Sequence, residues 1–171
     1  LGGGAFPMAL KTYCPNVKQY LCDWDPSMID IAKNFFGYPS NGNGNGNDSN
    51  SNSNYEFVGI DGVEYLHNIA LHLKNQASAS ASMSMSMPNK KCKLVFLDVN
   101  GIENESNGLS APPVEFLTKS CMEDIYSILI GDEEDDDDDY NDNFGGVLAI
   151  NVVARTDEAM FNLEKIVKQV F

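Results

Sequence analysis

Three aspartates in this chain each close a short apolar run. Asp23 follows Lys18-Gln19-Tyr20-Leu21-Cys22, Asp61 follows Phe57-Val58-Gly59-Ile60, and Asp98 follows Leu94-Val95-Phe96-Leu97. Ahead of all three stands a glycine run, Gly2-Gly3-Gly4. Glycines after a strand let backbone approach a ligand, and an acid about twenty residues further on is placed to hold a ribose hydroxyl pair. On that spacing Asp23 is the candidate ribose acceptor. Asp61, before Gly62, is a candidate acceptor for an adenine amino group. Asp98 is the candidate contact for a reacting group, since a carboxylate there can hold an amine and help remove its proton. Asn100, two residues on, can hydrogen-bond the same amine but cannot balance a cation. Each residue has a plain structural alternative: a turn for the glycines, a strand-end turn for Asp23, a helix N-cap for Asp61.

The elements that must position these residues follow from the periodicity. Met8–Tyr13 reads as a short helix, with Pro7 in its first turn and its end set by Pro15. Asp25-Pro26 opens a second helix with an acidic N-cap and proline at the first position, and its apolar residues Met28, Ile29, Ala32, Phe35 and Phe36 fall at helical spacing before Gly37. A third helix carries Leu66, Ile69, Ala70 and Leu73, a fourth Leu117, Cys121, Ile125 and Ile128, and a last Met160, Leu163, Val167 and Val170. Leu94–Leu97 is continuously apolar, as expected of a strand buried on both faces of a parallel sheet. Gly146–Val153 reads as one central strand, and Gly101–Ser110 as a polar loop leading to Ala111-Pro112-Pro113. Alternating strands and helices predict an α/β fold, a parallel sheet with helices on both faces, in which ligands bind at the carboxyl ends of the strands. The glycines and the three aspartates all fall at those ends.

Composition sets the remaining bounds. The chain has 171 residues, 43% of them hydrophobic, enough for one domain with a core. Low-complexity stretches interrupt it at about 40–54, 76–88 and 132–143, each between elements. The formal net charge of −14 argues against nucleic acid less strongly than it looks, because nine acids sit within 132–142 and the rest of the chain carries about −5. Cys14, Cys22, Cys92 and Cys121 lack metal-ligand spacing, and His67 and His72 are off a shared helical face, so reduced thiols and no metal site are expected. No apolar run reaches membrane-spanning length and no signal peptide opens the chain. These readings point to a cytoplasmic protein with no nucleic-acid or membrane partner. No Ser-His or Cys-His pair suggests a nucleophile, and the glycines lack the Lys-Ser/Thr of a nucleoside triphosphatase.

Taken together, LGGGAFPM, DWDPSMIDIAKNFFGY, GIDGVEYL, KLVFLDVN, SAPPVEFLTKSCMEDIYSIL and GGVLAINVVAR resemble the class I methyltransferases that use S-adenosyl-L-methionine, in the branch related to spermidine synthase. DPSM…FFG, LDVN with its later double proline, and LAINVVAR look most like the eukaryotic methyltransferases of translation elongation factor 1-alpha. The resemblance covers nearly all of the chain outside the inserts. It implies a Rossmann-like sheet of which the first and last strands are absent here, and transfer of a methyl group from S-adenosyl-L-methionine to a protein amine, an N-terminus or a lysine of elongation factor 1-alpha. It further implies that Gly2, Gly3 and Gly4 line the methionine part of the cofactor, with Asp23 at the ribose, Asp61 and Gly62 at the adenine, and Asp98 beside the cofactor where methyl and amine meet. The family carries an acid where this chain has Asn100. Two other expectations stay open: aminopropyl transfer to a polyamine, and an inactive binding domain that keeps the fold.

Overall fold

The computed structural model describes residues 5–35, 54–75, 87–100, 108–130 and 145–171. Gly2–Gly4, Phe36, Gly37 and most of the three low-complexity stretches lie outside them. The chain divides into two compact units, the first running to Gly62 and including Met87, the second comprising the chain from Val63 together with Pro88–Phe171.

The first unit contains α1 (Ala5–Tyr13), β1 (Gln19–Asp23), α2 (Pro26–Phe35) and β2 (Tyr55–Gly59). Strands β1 and β2 are parallel, in register from Gln19 opposite Tyr55 to Asp23 opposite Gly59. Parallel neighbours need a crossover, and α2 supplies it. Asp25 starts that helix as expected: its carboxylate accepts the Ser27 N–H at 2.9 Å and its carbonyl accepts the Met28 N–H at 3.1 Å. Ile29 and Ala32 face inward, Ala32 joining Leu21 and Tyr55 in a core flanked by Met8 and Phe57. Phe35, expected on the same stripe, is 79% exposed. It occupies the last turn, beyond the reach of the two-stranded ladder.

The second unit holds α3 (Gly62–Asn75, all but its first residue), β3 (Leu94–Leu97), β4 (Leu109–Ala111), a 3-10 turn at Val114–Leu117, α4 (Lys119–Leu129), β5 (Val147–Ile150), β6 (Val153–Ala154) and α5 (Asp157–Val167). Strands β3 and β5 are parallel, with Leu94 opposite Val147 and Leu97 opposite Ile150. Strands β4 and β6 form a separate antiparallel pair, Leu109 opposite Ala154 and Ala111 opposite Val153. The run expected as one strand over Gly146–Val153 is therefore two. The Asn151 N–H makes the last rung, to the Leu97 carbonyl at 2.9 Å, and the chain then leaves β3 to pair with β4. The expected polar loop likewise ends in a strand, too short at three residues to show a period.

Helix α4 is the core of this unit. Its N-cap, Thr118, accepts the Cys121 N–H, and Met122, Ile125 and Ile128 are fully buried, with Cys121 and Leu129 nearly so. Three carbonyls at its other end find partners outside the helix: Ile128 accepts from the Cys92 N–H at 2.9 Å, Leu129 from the Gly146 N–H at 3.1 Å, and Ile130 from Lys91 Nζ at 2.8 Å. Leu66, Ile69 and Ala70 of α3 are buried as expected, and Tyr65 with them. On α5 Leu163 is buried as expected and Ala159 with it, Val167 and Val170 are half-buried, and Met160, expected on the same stripe, is 42% exposed. Strand β3 is not covered on both faces: Leu97 is buried, whereas Leu94 and Phe96, with Val147 opposite Leu94, are more than a third exposed.

Gly146 marks where β5 passes the end of α4. A Cβ there would lie 2.6 Å from Leu129 Cδ2 and 2.7 Å from the Cys92 carbonyl oxygen, and the carbonyl is backbone that cannot rotate away. Gly146→Ala should cost about 1–3 kcal/mol, as overpacking does in a close-packed interior, read as a lower midpoint in urea unfolding. An unchanged midpoint would show that the α4–β5 approach is looser than described.

Candidate active site

Polar groups gather at the carboxyl ends of both parallel ladders. In the first unit the strand β1 delivers Cys22 and Asp23 and turns at Trp24 into α2. Asp23 Oδ1 accepts the Asp25 N–H at 2.9 Å, so part of this carboxylate does the turn work that any strand-end Asp can do. Asp25 caps α2, its carboxylate accepting the Ser27 N–H. Trp24, between them, is 76% exposed. At the end of β2, Asp61 is exposed and immediately precedes Gly62, the first residue of α3, the position of an N-cap.

A cysteine joins these two strand ends. Cys22 Sγ donates to the Ile60 carbonyl at 3.2 Å. Burial, helped by the neighbouring Asp23 and Asp61 carboxylates and opposed by its own hydrogen bond, pushes the thiol up to about 11. Asp23 and Asp61 thus both lie near Cys22 at the ends of β1 and β2.

In the second unit Asp98 follows β3 and Asn151 follows β5. Asn151 Nδ2 donates to Asp98 Oδ1 at 2.8 Å, while the Asn151 backbone N–H holds the Leu97 carbonyl. A carboxylate only accepts, which sets the amide with its NH2 toward Asp98. Both side chains are exposed. Asn100 is exposed two residues beyond Asp98, and the hydrogen bond to Asp98 comes from Asn151 instead. Asn151 was not singled out from the sequence. Its signal was there: one amide inside the apolar run Val147–Val153, where a buried strand has no use for it.

Beyond β6 a depression of about 420 Å³ is lined by Ala154, Arg155, Thr156, Asp157 and Met160. Arg155 Nε donates to Ser110 Oγ at 3.1 Å, tying this wall to β4. Among the described residues no three His, Cys, Asp or Glu side chains are grouped to hold a metal ion, and no helix is long and apolar enough to cross a membrane.

An α/β order with parallel ladders and acids at the strand ends invites comparison with nucleoside-binding folds. Human methyltransferase-like protein 13, solved in complex with SAH, superimposes on the whole chain with a TM-score of 0.68 at 21% identity, this chain covering 60% of the solved one. This chain therefore shares the Rossmann-like fold of that structure. The eEF1A lysine and N-terminal methyltransferase of Xenopus laevis is 21% identical over 172 residues, all of this chain and 19% of the relative. Polyamine aminopropyltransferases from two strains of Neisseria meningitidis are 35% identical over 66 residues, 39% of the chain and 21% of each relative. The chain thus spans about a fifth of the length of the curated relatives it matches. No family model matches it. The methyltransferase likeness extends over the full chain, the aminopropyltransferase likeness over less than half.

The Cys22 environment can be checked directly. With its pKa near 11 against an ordinary 9.0, Cys22 holds about a hundredth of the thiolate of an unperturbed thiol at neutral pH. Alkylation at pH 7.5, mapped by mass spectrometry, should modify exposed Cys14 first and Cys22 at least about tenfold more slowly. Equal rates would remove the buried setting given to Cys22.

Proposed function

We propose that this chain is a methyltransferase domain, interrupted by low-complexity inserts at about 40–54, 76–88 and 132–143, that uses S-adenosyl-L-methionine to methylate a protein amine. The observation that carries the reading is the full-length likeness to a methyltransferase solved with SAH. The acids present fit such a cofactor. A ribose diol needs a carboxylate acceptor at the end of the strand after the glycines, and Asp23 stands there, steadied through the Asp25 N–H. Asp61, in the same cluster, accepts from the adenine amino group, with Gly62 beside it. Asp98 and Asn100 belong to the amine. The cofactor supplies the methyl group: the amine lone pair forms the new C–N bond as the C–S bond breaks, sulfur keeping the bonding pair.

The work of the chain is then to place a neutral amine and to stabilise the charge that develops on it as the methyl group arrives. Asp98 accepts an N–H of the amine, aligns its lone pair, and stabilises the cation that forms before a proton leaves to water. Asn100 offers a second polar contact without charge. The name of the Xenopus laevis relative supports elongation factor 1-alpha as the substrate, through its N-terminus or a lysine, and so a cytoplasmic protein. The partial likeness to polyamine aminopropyltransferases supports a second reading, transfer of an aminopropyl group from decarboxylated S-adenosylmethionine. Asn100 in place of an acid disfavours it, since a polyamine brings a further cation to be balanced.

Calorimetry on the protein at its full natural length should show S-adenosyl-L-methionine binding, weakened about 10- to 100-fold in Asp23→Ala, the loss expected for a hydrogen bond to a charged group. Asp98→Ala should retain cofactor affinity and lower methyl transfer to elongation factor 1-alpha by about 100-fold or more, as loss of a proton-handling group does. Absence of cofactor binding would leave an inactive methyltransferase-fold domain. Preference for the decarboxylated cofactor would establish the aminopropyltransferase.

A further inference from the structure

We infer that Asn151 is the positioning residue of the amine site, holding the Asp98 carboxylate at one oxygen so that the other is presented to the amine. This rests on the methyl-transfer reading of Asp98. Three observations carry it. The Asn151 side chain donates to Asp98 Oδ1 at 2.8 Å. Its backbone donates to the carbonyl of Leu97, the residue immediately before Asp98, at 2.9 Å. Its position is fixed by the parallel register that sets Leu97 opposite Ile150. One residue thus grips Asp98 at its side chain and just ahead of it on the main chain.

The geometry decides what each oxygen can do. An aspartate at an exposed strand end rotates among staggered rotamers, and each unproductive rotamer lowers the fraction of time an amine finds its acceptor. A donor fixed on the neighbouring strand removes that freedom at Oδ1. Among the described residues Asp98 has no other hydrogen-bond partner, so Oδ2 is the oxygen left to accept. An amide suits the task better than a cation would. It fixes the carboxylate and leaves its negative charge in place for the ammonium that develops on methyl transfer, whereas lysine or arginine would neutralise it. Asn151 therefore acts through Asp98, not on the nucleoside.

The test compares Asn151→Ala with the isosteric Asn151→Asp in the full-length protein, using S-adenosyl-L-methionine and the N-terminal peptide of elongation factor 1-alpha. Both variants should lower kcat about 10- to 100-fold, with cofactor affinity unchanged by calorimetry, because the donor and not the volume is at stake. The deficit of Asn151→Asp relative to native should narrow as pH falls from 8.5 to 6. Two facing carboxylates come to share a proton, which restores a donor to Asp98. Independently of activity, the Asn151 side-chain NH2 cross-peak of 15N-labelled protein should shift in Asp98→Ala. Native-like kcat in Asn151→Asp, a deficit flat with pH, or an unmoved cross-peak would each overturn the positioning role. A native protein that binds cofactor but methylates no amine would instead overturn the methyl-transfer reading, and this inference with it.

Discussion

The second unit depends on how the carboxyl end of α4 is satisfied. The last carbonyls of a helix have no partner within it, and leaving them unpaired in an interior would cost about 1–3 kcal/mol each. Here three of them are taken by the segment entering β3, through Cys92 and Lys91, and by the residue entering β5, Gly146. One helix end therefore sets the starting points of both strands. Since the strands run parallel from those points, their far ends arrive level, and Asp98 and Asn151 meet there. The close approach of Gly146 to Leu129 and the Cys92 carbonyl is the steric condition for this arrangement. A packing constraint at one end of the ladder becomes an electrostatic arrangement at the other.

The first unit reaches a similar result by other means. Its parallel pair is short and its core small, and the strand ends are laced by side chains: Asp25 to the first turn of α2, Asp23 to the Asp25 N–H, Cys22 to the Ile60 carbonyl. The thiol is kept protonated by burial and by two nearby carboxylates, so it serves as a donor and not as a nucleophile. Asp23 and Asp61 lie close to that thiol at the ends of the two strands.

Much of this was legible in the sequence because it rests on local rules. Asp25-Pro26 announces a helix start, the Leu117, Cys121, Ile125 and Ile128 stripe is buried throughout, and Asp23, Asp61 and Asp98 stand at strand ends as their runs suggested. What escaped depends on partners distant in sequence. Strand β4 exists because β6 pairs with it, and no three-residue segment carries that information. The run from Val147 to Val153 looks continuous, yet it is divided where Asn151 makes the last rung with Leu97 and the chain turns to another partner. The exposure of Met160 on α5 and of Phe35 on α2 have the same origin, since amphipathicity fixes a face only to within a residue or so and the neighbour decides the rest.

The exposed row formed by Leu94, Phe96 and Val147 bears on how the molecule behaves in concentrated solution. Apolar side chains on a two-stranded ladder are a surface on which copies of a chain adhere. Opposing them is a net charge of −14, most of it concentrated within 132–142. Coulomb repulsion of that size acts over about 10 Å at moderate ionic strength and shrinks as salt is added, whereas hydrophobic adhesion does not. Among the described residues, then, adhesion through that apolar row and repulsion through the net charge oppose each other, and ionic strength sets the balance between them.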